Sequence, residues 1–260
     1  MTAITVYGAS SPLGLELVER LLSSAKTVYV KESELSKLQE YFSEILSLGV
    51  GKIELYNGQS GRIINFTTNN QVSDNCDFSV HSARSLRDND GEILAASKHC
   101  TIVIHDLILS QPNLTWSKND LHSWAESIIN GDEPIIDPSL SQLQFWVSHR
   151  DVIAGLSDLL ACETIPSGRI DMCGRKAWTP VEIIDEMKML IQRSQSALTQ
   201  SFSAKNLEIS EIPSSGIGRS PDRPNLAPLH TALLQIHTEG WRTLTPMRIS
   251  LMEIIASHIE

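Results

Sequence analysis

Cysteine is scarce and unpaired in its spacing. Cys76, Cys100, Cys162 and Cys173 lie far apart, with no C-x-x-C among them. That excludes a disulfide frame and a cysteine-built zinc site, and predicts packed thiols in a reducing cytoplasm. No apolar run approaches the roughly 18 residues that span a bilayer, so no membrane partner is expected. No secretory leader is expected either, because residues 1–7 already read as a strand. Without export, the sequon matches at Asn65 and Asn113 carry no meaning. Basic excess is absent: 21 Lys and Arg stand against 31 Asp and Glu, a net charge of −10. A nucleic-acid partner is therefore not expected, although a local cationic spot can still take a small anion. Internal repeats, heptads and low-complexity tracts are also missing.

What is present is an ordinary globule, 41% hydrophobic and 20% charged over 260 residues. A chain of that length buries a core without metal or disulfide. It opens with a strand (Ile4-Thr5-Val6-Tyr7), a glycine turn (Gly8-Ala9-Ser10-Ser11-Pro12-Leu13-Gly14) and a helix from Leu15 to Leu22. This is the entrance to a dinucleotide-binding βαβ unit, where a helix N-terminus offers N–H groups to a pyrophosphate. Gly8, Ser10, Ser11, Leu13 and Gly14 are the candidate phosphate-binding positions. Ser11 stands at the middle position of the three-glycine fingerprint, where a bare backbone would let phosphate approach. A second strand, Thr27 to Val30, is followed by Glu32, placed to accept from the ribose hydroxyls of NAD. Adjacent Lys31 would favour a 2′-phosphate, so NAD and NADP both stay open. The alternative is a plain strand-to-helix turn with Glu32 as a solvated acid.

Further along, the pattern predicts a helix over Ser33–Leu48, strands at Lys52–Tyr56 and Arg62–Thr68, and a long helix over Asp77–Ser97. Cys100–Leu109 (CTIVIHDLIL) reads as one strand buried on both faces. Alternating strands and helices predict an α/β fold: a Rossmann-like, doubly wound parallel sheet with a small carboxy-terminal substrate lobe. The expected division is 1–112 for the shortened NAD(P)-binding-like part and 113–260 for the remaining sheet elements and the lobe, as one structural unit. In the second part, helices are expected at Asn119–Asn130, Asp151–Ala161, Val181–Gln192 (capped by Thr179) and Arg248–His258. Short strands are expected at Glu133–Ile136, Gln144–Val147 and Arg169–Met172. The sequence also permits a homodimer.

Taken together, the order resembles the extended short-chain dehydrogenase/reductase family, the NAD-dependent epimerases and dehydratases of nucleotide sugars. "GDEPIIDPSLSQLQFWVSHRDVIAGLSDLLA" resembles the family's run from a Gly-x-Pro-Ile turn to the helix-start aspartate, here Asp151. "SGRIDMCGRKAWTPVEIIDEM" resembles its next strand and helix, and "GRSPDRPN" with "EGWRTLTPMRISLMEII" resembles its closing segments. The resemblance implies cofactor on the amino-terminal sheet, substrate between sheet and lobe, and a Tyr-x-x-x-Lys pair for proton transfer, with a Ser or Thr ending the preceding strand. That pair is missing. Tyr7, Tyr29, Tyr41 and Tyr56 are the four tyrosines, and matching Gly91-Glu92 to the family places Arg84 and Asp88 at the dyad positions. Between Glu32 and Leu109 the chain is short by about one strand-helix unit against the family. Either the strand ending at Thr67-Thr68 is the fifth, carrying the active-site hydroxyl, or it is the fourth and the active-site segment is deleted.

Candidate chemistry follows. Thr67 and Thr68 orient a substrate oxygen, or end a strand in a turn with Asn69 and Asn70. His81 is a replacement acid/base by type, or a surface histidine. His105 with Asp106 touches substrate, or is hydrogen-bonded at a strand bend. Arg219 resembles the arginine that clamps a nucleotide-sugar pyrophosphate, and Gln144 stands where the family's second arginine would. No metal site is expected. Three readings remain: a divergent NAD(P)-dependent epimerase/dehydratase/reductase-like protein with a small, nucleotide-sugar-like ligand; a non-catalytic relative acting as ligand sensor or scaffold; and a cofactor-independent, redox-neutral enzyme that reuses the cleft.

Overall fold

β-Branched residues, isoleucine and valine above all, build the strands. The computed structural model describes residues 3–66, 76–83, 100–113, 116, 120–136, 143–201 and 223–259. Strand β1 (Ala3–Tyr7) runs into helix α1 (Pro12–Ser23), then β2 (Thr27–Val30), α2 (Glu32–Tyr41), α3 (Ser43–Ser47) and β3 (Lys52–Leu55). Then come β4 (Gly61–Asn65), β5 (Phe78–Ser82), β6 (Cys100–Ile104), β7 (Leu107–Ile108), α4 (Asp120–Asn130) and β8 (Val147–Ser148). The chain closes with α5 (His149–Ala161), β9 (Gly168–Met172), α6 (Pro180–Leu198), α7 (Ala227–Leu233) and α8 (Met247–Ile259). Seven strands form one parallel sheet in the order β3-β2-β1-β4-β5-β6-β9. The Rossmann-like doubly wound sheet expected from the sequence is therefore present.

Residues paired in a parallel register share a face, and the two faces of this sheet differ. One carries Ile4, Val6, Ile64, Phe78, Val80, Ile102, Ile104, Ile170 and Met172, all buried. The other carries polar rows. Asn65, Ser79, Thr101 and Arg169 stand side by side across four strands, and one step on come His81, Val103 and Asp171.

The chain divides into two units. The first holds residues 1–105, 149–172 and 225–242, with the whole large sheet; the second holds 106–148, 173–224 and 243–260. In the second, α4, α6 and α8 pack around Trp124, Trp146, Ile183, Met187, Leu251 and Ile255. Thr179 caps α6 as expected. Its Oγ1 accepts from the Glu182 amide at 3.2 Å, and its own N–H donates to Glu182 Oε2 at 2.7 Å, a complete capping box.

Four expectations need correction. The long helix over Asp77–Ser97 begins instead as strand β5, Phe78–Ser82, buried at every position and paired with both β4 and β6; residues 84–99 lie outside the described residues. The Ser33–Leu48 helix is broken into α2 and α3 at Phe42. Cys100–Leu109 is not one strand. It breaks at Asp106, whose φ of 44° turns the chain, so that Leu107 and Ile108 leave the large sheet and pair with Val147 and Ser148. Glu133–Ile136 is irregular rather than a strand, and of Gln144–Val147 only Val147 enters one, Gln144 making an isolated bridge to Trp178.

β5 also resolves the shortened centre. The strand at Gly61–Asn65 pairs with β1 and is the fourth across the sheet; the fifth is β5, not deleted. Among the described residues β3, β2, β1, β4, β5 and β6 stand consecutively in the ladder.

Candidate functional site

The glycine loop lies between β1 and α1 as the sequence requires. Gly8 has φ +70°, a left-handed conformation that glycine enters without strain. Gly14 faces the loop so closely that a Cβ there would strike the Gly8 carbonyl oxygen and come within 2.9 Å of Ala9 Cα. These two glycines serve the tight turn and the close helix–strand approach. The middle position is filled differently. Ser11 is the N-cap of α1; its Oγ donates to Gly8 O at 2.7 Å and accepts from the Gly14 N–H at 3.2 Å. The Ser11 N–H also donates to Gly8 O, at 3.0 Å, and Pro12 has no N–H to offer. Among the described residues the Leu13 N–H is left as the first-turn donor without an acceptor.

A carboxylate reaches this loop from α2. Glu34 Oε1 accepts from the Ser10 N–H at 2.9 Å, while Glu34 Oε2 is buried with no partner among the described residues. Glu32, the acid singled out by spacing, is exposed at the start of α2. Lys31 holds its Nζ 4.5 Å over the Tyr7 ring. Glu34 was not legible as a site residue, because only the turn of α2 aims it back to the loop. The loop fits a dinucleotide in its backbone path and its helix N-terminus, but the Ser10, Ser11 and Gly14 N–H groups and the Ser11 hydroxyl are already spent, which leaves Leu13 N–H and the Ser10 hydroxyl to donate.

At the carboxyl end of β6, His105 continues the sheet: its N–H donates to Met172 O at 2.9 Å. Its Nε2 is 2.8 Å from Asp171 Oδ1, and Arg169 Nε donates to the same oxygen at 3.0 Å. Burial alone would raise the Asp171 carboxyl, but the hydrogen bonds from His105 and Arg169 outweigh it and hold that group below the usual aspartate value. An ionised Asp171 accepts, so the His105 proton sits on Nε2 and Nδ1 is left as the basic nitrogen. Asp106, the neighbour that sequence paired with His105, instead accepts from the Phe145 N–H through Oδ2 at 2.8 Å and secures the bend. The partner, Asp171, is distant in sequence and carried no local signal.

His81 is neither on a helix nor at the surface. It lies in β5, 8% exposed, with Nε2 lacking a partner among the described residues. Burial pushes its imidazole below the usual histidine value. Ser82 ends β5 and is buried. Sequence reasoning missed it because β5 was read as helix. Thr67, Thr68, Arg84, Asp88 and Arg219 lie outside the described residues.

Gln144, in the second unit, is 4% exposed; its backbone exchanges hydrogen bonds of 2.9 Å with Trp178, and its Oε1 finds no partner among the described residues. Cations gather beside it. Lys176 Nζ sits 3.5 Å from the Trp178 ring centroid, Arg223 lies 5.7 Å from that of Phe145, and Arg223 Nη2 donates to Arg175 O at 2.9 Å. Arg223 follows the Arg219 motif by four residues, a signal that a search limited to the motif passes over. None of the four cysteines is in a disulfide and all are buried, and burial pushes the Cys100 thiol up to about 12. Among the described residues no cluster could hold a metal ion, and no helix is long and apolar enough to cross a membrane.

No protein-family model matches the chain, and no curated protein matches it by sequence. Solved structures do match. UDP-glucuronic acid 4-epimerase from Bacillus cereus, in complex with UDP-glucuronic acid and NAD, superposes with a TM-score of 0.62 at 10% identity over 99% of each chain. dTDP-glucose 4,6-dehydratase from Bacillus anthracis, in complex with NAD, gives 0.60 at 12% identity, over 100% of this chain and 97% of that one. The Bordetella bronchiseptica enzyme WbmF, with NAD+ and UDP, gives 0.57 at 11% identity, over 98% and 92%. Identity this low speaks to architecture alone, and in architecture the chain has the fold of the NAD-dependent nucleotide-sugar epimerases and dehydratases.

Proposed function

We propose that this chain is a divergent NAD(P)-dependent epimerase-, dehydratase- or reductase-like protein acting on a small, nucleotide-sugar-like ligand. The observation that carries the reading is the β1–loop–α1 corner: Gly8 at positive φ, Gly14 at closest approach and a helix N-terminus behind them, in a sheet of the matching order. Leu13 N–H and the Ser10 hydroxyl would hold the pyrophosphate. Glu34, with its unpartnered Oε2, takes over from Glu32 as the acceptor for a ribose hydroxyl and favours NAD over NADP. The nicotinamide supplies hydride transfer when bound. Proton transfer falls to His105, whose Nδ1 takes or gives the proton while Asp171 fixes the tautomer. Ser82, closing the fifth strand, is the hydroxyl in place to orient a substrate oxygen. Within the second unit, Lys176 and Arg223 carry charge of the kind missing at Gln144 and suit an anionic group.

The test is a panel of nucleotide sugars and simple carbonyls with NADH and NADPH. His105→Ala is expected to lower any turnover by about 10²–10⁴-fold, and Asp171→Asn to lower it less while shifting the pH profile. Turnover that survives both His81→Ala and His105→Ala would refute this choice of proton-transfer group. A second reading, a non-catalytic ligand sensor or scaffold, is favoured by one observation: Ser11 and Glu34 already occupy donors that a phosphate would use. It predicts NAD(P) binding, or ligand binding, with no turnover on the whole panel.

A further inference from the structure

A cavity of about 610 Å³ opens at the amino ends of the strands, at the opposite end of β1 from the glycine loop. Its walls come from the amino ends of β1, β2 and β4 and from the end of α5, all within the first unit. At about 3.3 Å per residue, the length of β1 separates it from Gly8 by roughly 16 Å. Ala3, Ile4, Leu160 and Ala161 give it an apolar wall. Lys26 and Arg62 also line it. Neither has a carboxylate partner among the described residues, in a chain that carries ten excess negative charges. Arg62 is anchored rather than loose: Nη2 donates to Cys162 O at 2.9 Å and to Glu163 O at 2.8 Å. Its Nε and Nη1 have no acceptor among the described residues, so half of the guanidinium fork is preorganised and unused. Thr27 and Tyr29 add hydroxyls. Glu163 is the one acid of the lining and is exposed. The Cys162 thiol takes no part as a nucleophile, since it is buried and burial raises it.

From this pairing of two uncompensated cations with an apolar wall, we infer a second ligand site: the cavity takes a small organic oxyanion, a phosphate or carboxylate carried on a compact apolar body. Its size lies within the range of small-molecule sites. The site stands apart from the glycine loop and does not depend on the cofactor reading.

The experiment is a titration of the intact protein with phenyl phosphate, followed through backbone amide NMR shifts. Saturable shifts are expected at Lys26, Thr27, Cys162 and Glu163, with none at Ser10 to Gly14. Lys26→Met should weaken binding roughly tenfold, the effect of losing one charge-assisted contact. Arg62→Lys keeps the charge but loses the fork, and should weaken it too. Benzoate distinguishes the two oxyanions: the tighter of benzoate and phenyl phosphate names the group, and either supports the site. The inference fails if no saturable shift appears by about 10 mM. It also fails if benzyl alcohol or inorganic phosphate binds as tightly as phenyl phosphate, or if Lys26→Met, which sits on a half-exposed residue and spares the fold, leaves affinity unchanged.

Discussion

Ser11 decides how the amino-terminal corner behaves. Its Oγ bridges Gly8 O and the Gly14 N–H, so one side chain both closes the loop and caps the helix. Ser11→Ala should cost about 1 kcal/mol of stability, whereas Ser11→Gly should cost only a few tenths, because glycine is itself a tolerated cap. Thermal melts of the two variants check that order. A buried histidine sets a second expectation at this scale. The native state keeps His81 neutral by burial, while the unfolded chain takes up a proton near the usual value of 6.5. The folded value is the lower one, so the stabilisation is complete above 6.5 and is lost as pH falls through 6.5 toward the folded value. Urea midpoints measured from about pH 7.5 down to about pH 5 should fall less steeply in His81→Phe than in the wild type. Equal slopes would show that burial does not lower the His81 imidazole below its unfolded value. Ser11 and Gly14 were legible from spacing alone. Glu34 and Asp171 were not, because a carboxylate's reach depends on where the next helix or strand carries it.

At the level of elements, burial on both faces is what hid β5. Phe78 to Ser82 has no exposed face, so it shows no period of two. The apolar spacing of Leu86, Ile93 and Leu94 farther along suggested a helix that was extended backward over it. The same absence of period made Cys100 to Leu109 look like one strand. What breaks it is the backbone of Asp106, at positive φ and held by Phe145 and Val147, a turn that aspartate accepts more readily than most residues. Helix α6 was read with its cap in place because its signals are local: Thr179, Pro180 and Glu182 sit within one turn. Thr179→Ala removes the Oγ1 half of that capping box and should lower stability by about 1 kcal/mol, read as a shift in the denaturant midpoint with an unchanged slope. Gly14→Ala belongs here as well, since it forces α1 away from β1. Overpacking of that kind costs about 1–3 kcal/mol, and the variant should melt well below Ser11→Gly.

For the molecule as a whole, strand order was legible and chain economy was not. The alternation of strands and helices predicts the doubly wound sheet, and the sheet has it. The shortened centre suggested a lost strand. Instead β5 stands between β4 and β6 and pairs with both, so among the described residues the ladder is continuous there. The glycine corner is kept where the fold needs glycine and altered where a phosphate would want it. That contrast makes calorimetry with NAD, on the wild type and on Ser11→Gly side by side, the most direct test. Weak, saturable NAD binding is expected, tightened in Ser11→Gly by the freed Gly14 N–H; no binding heat from either protein would contradict it.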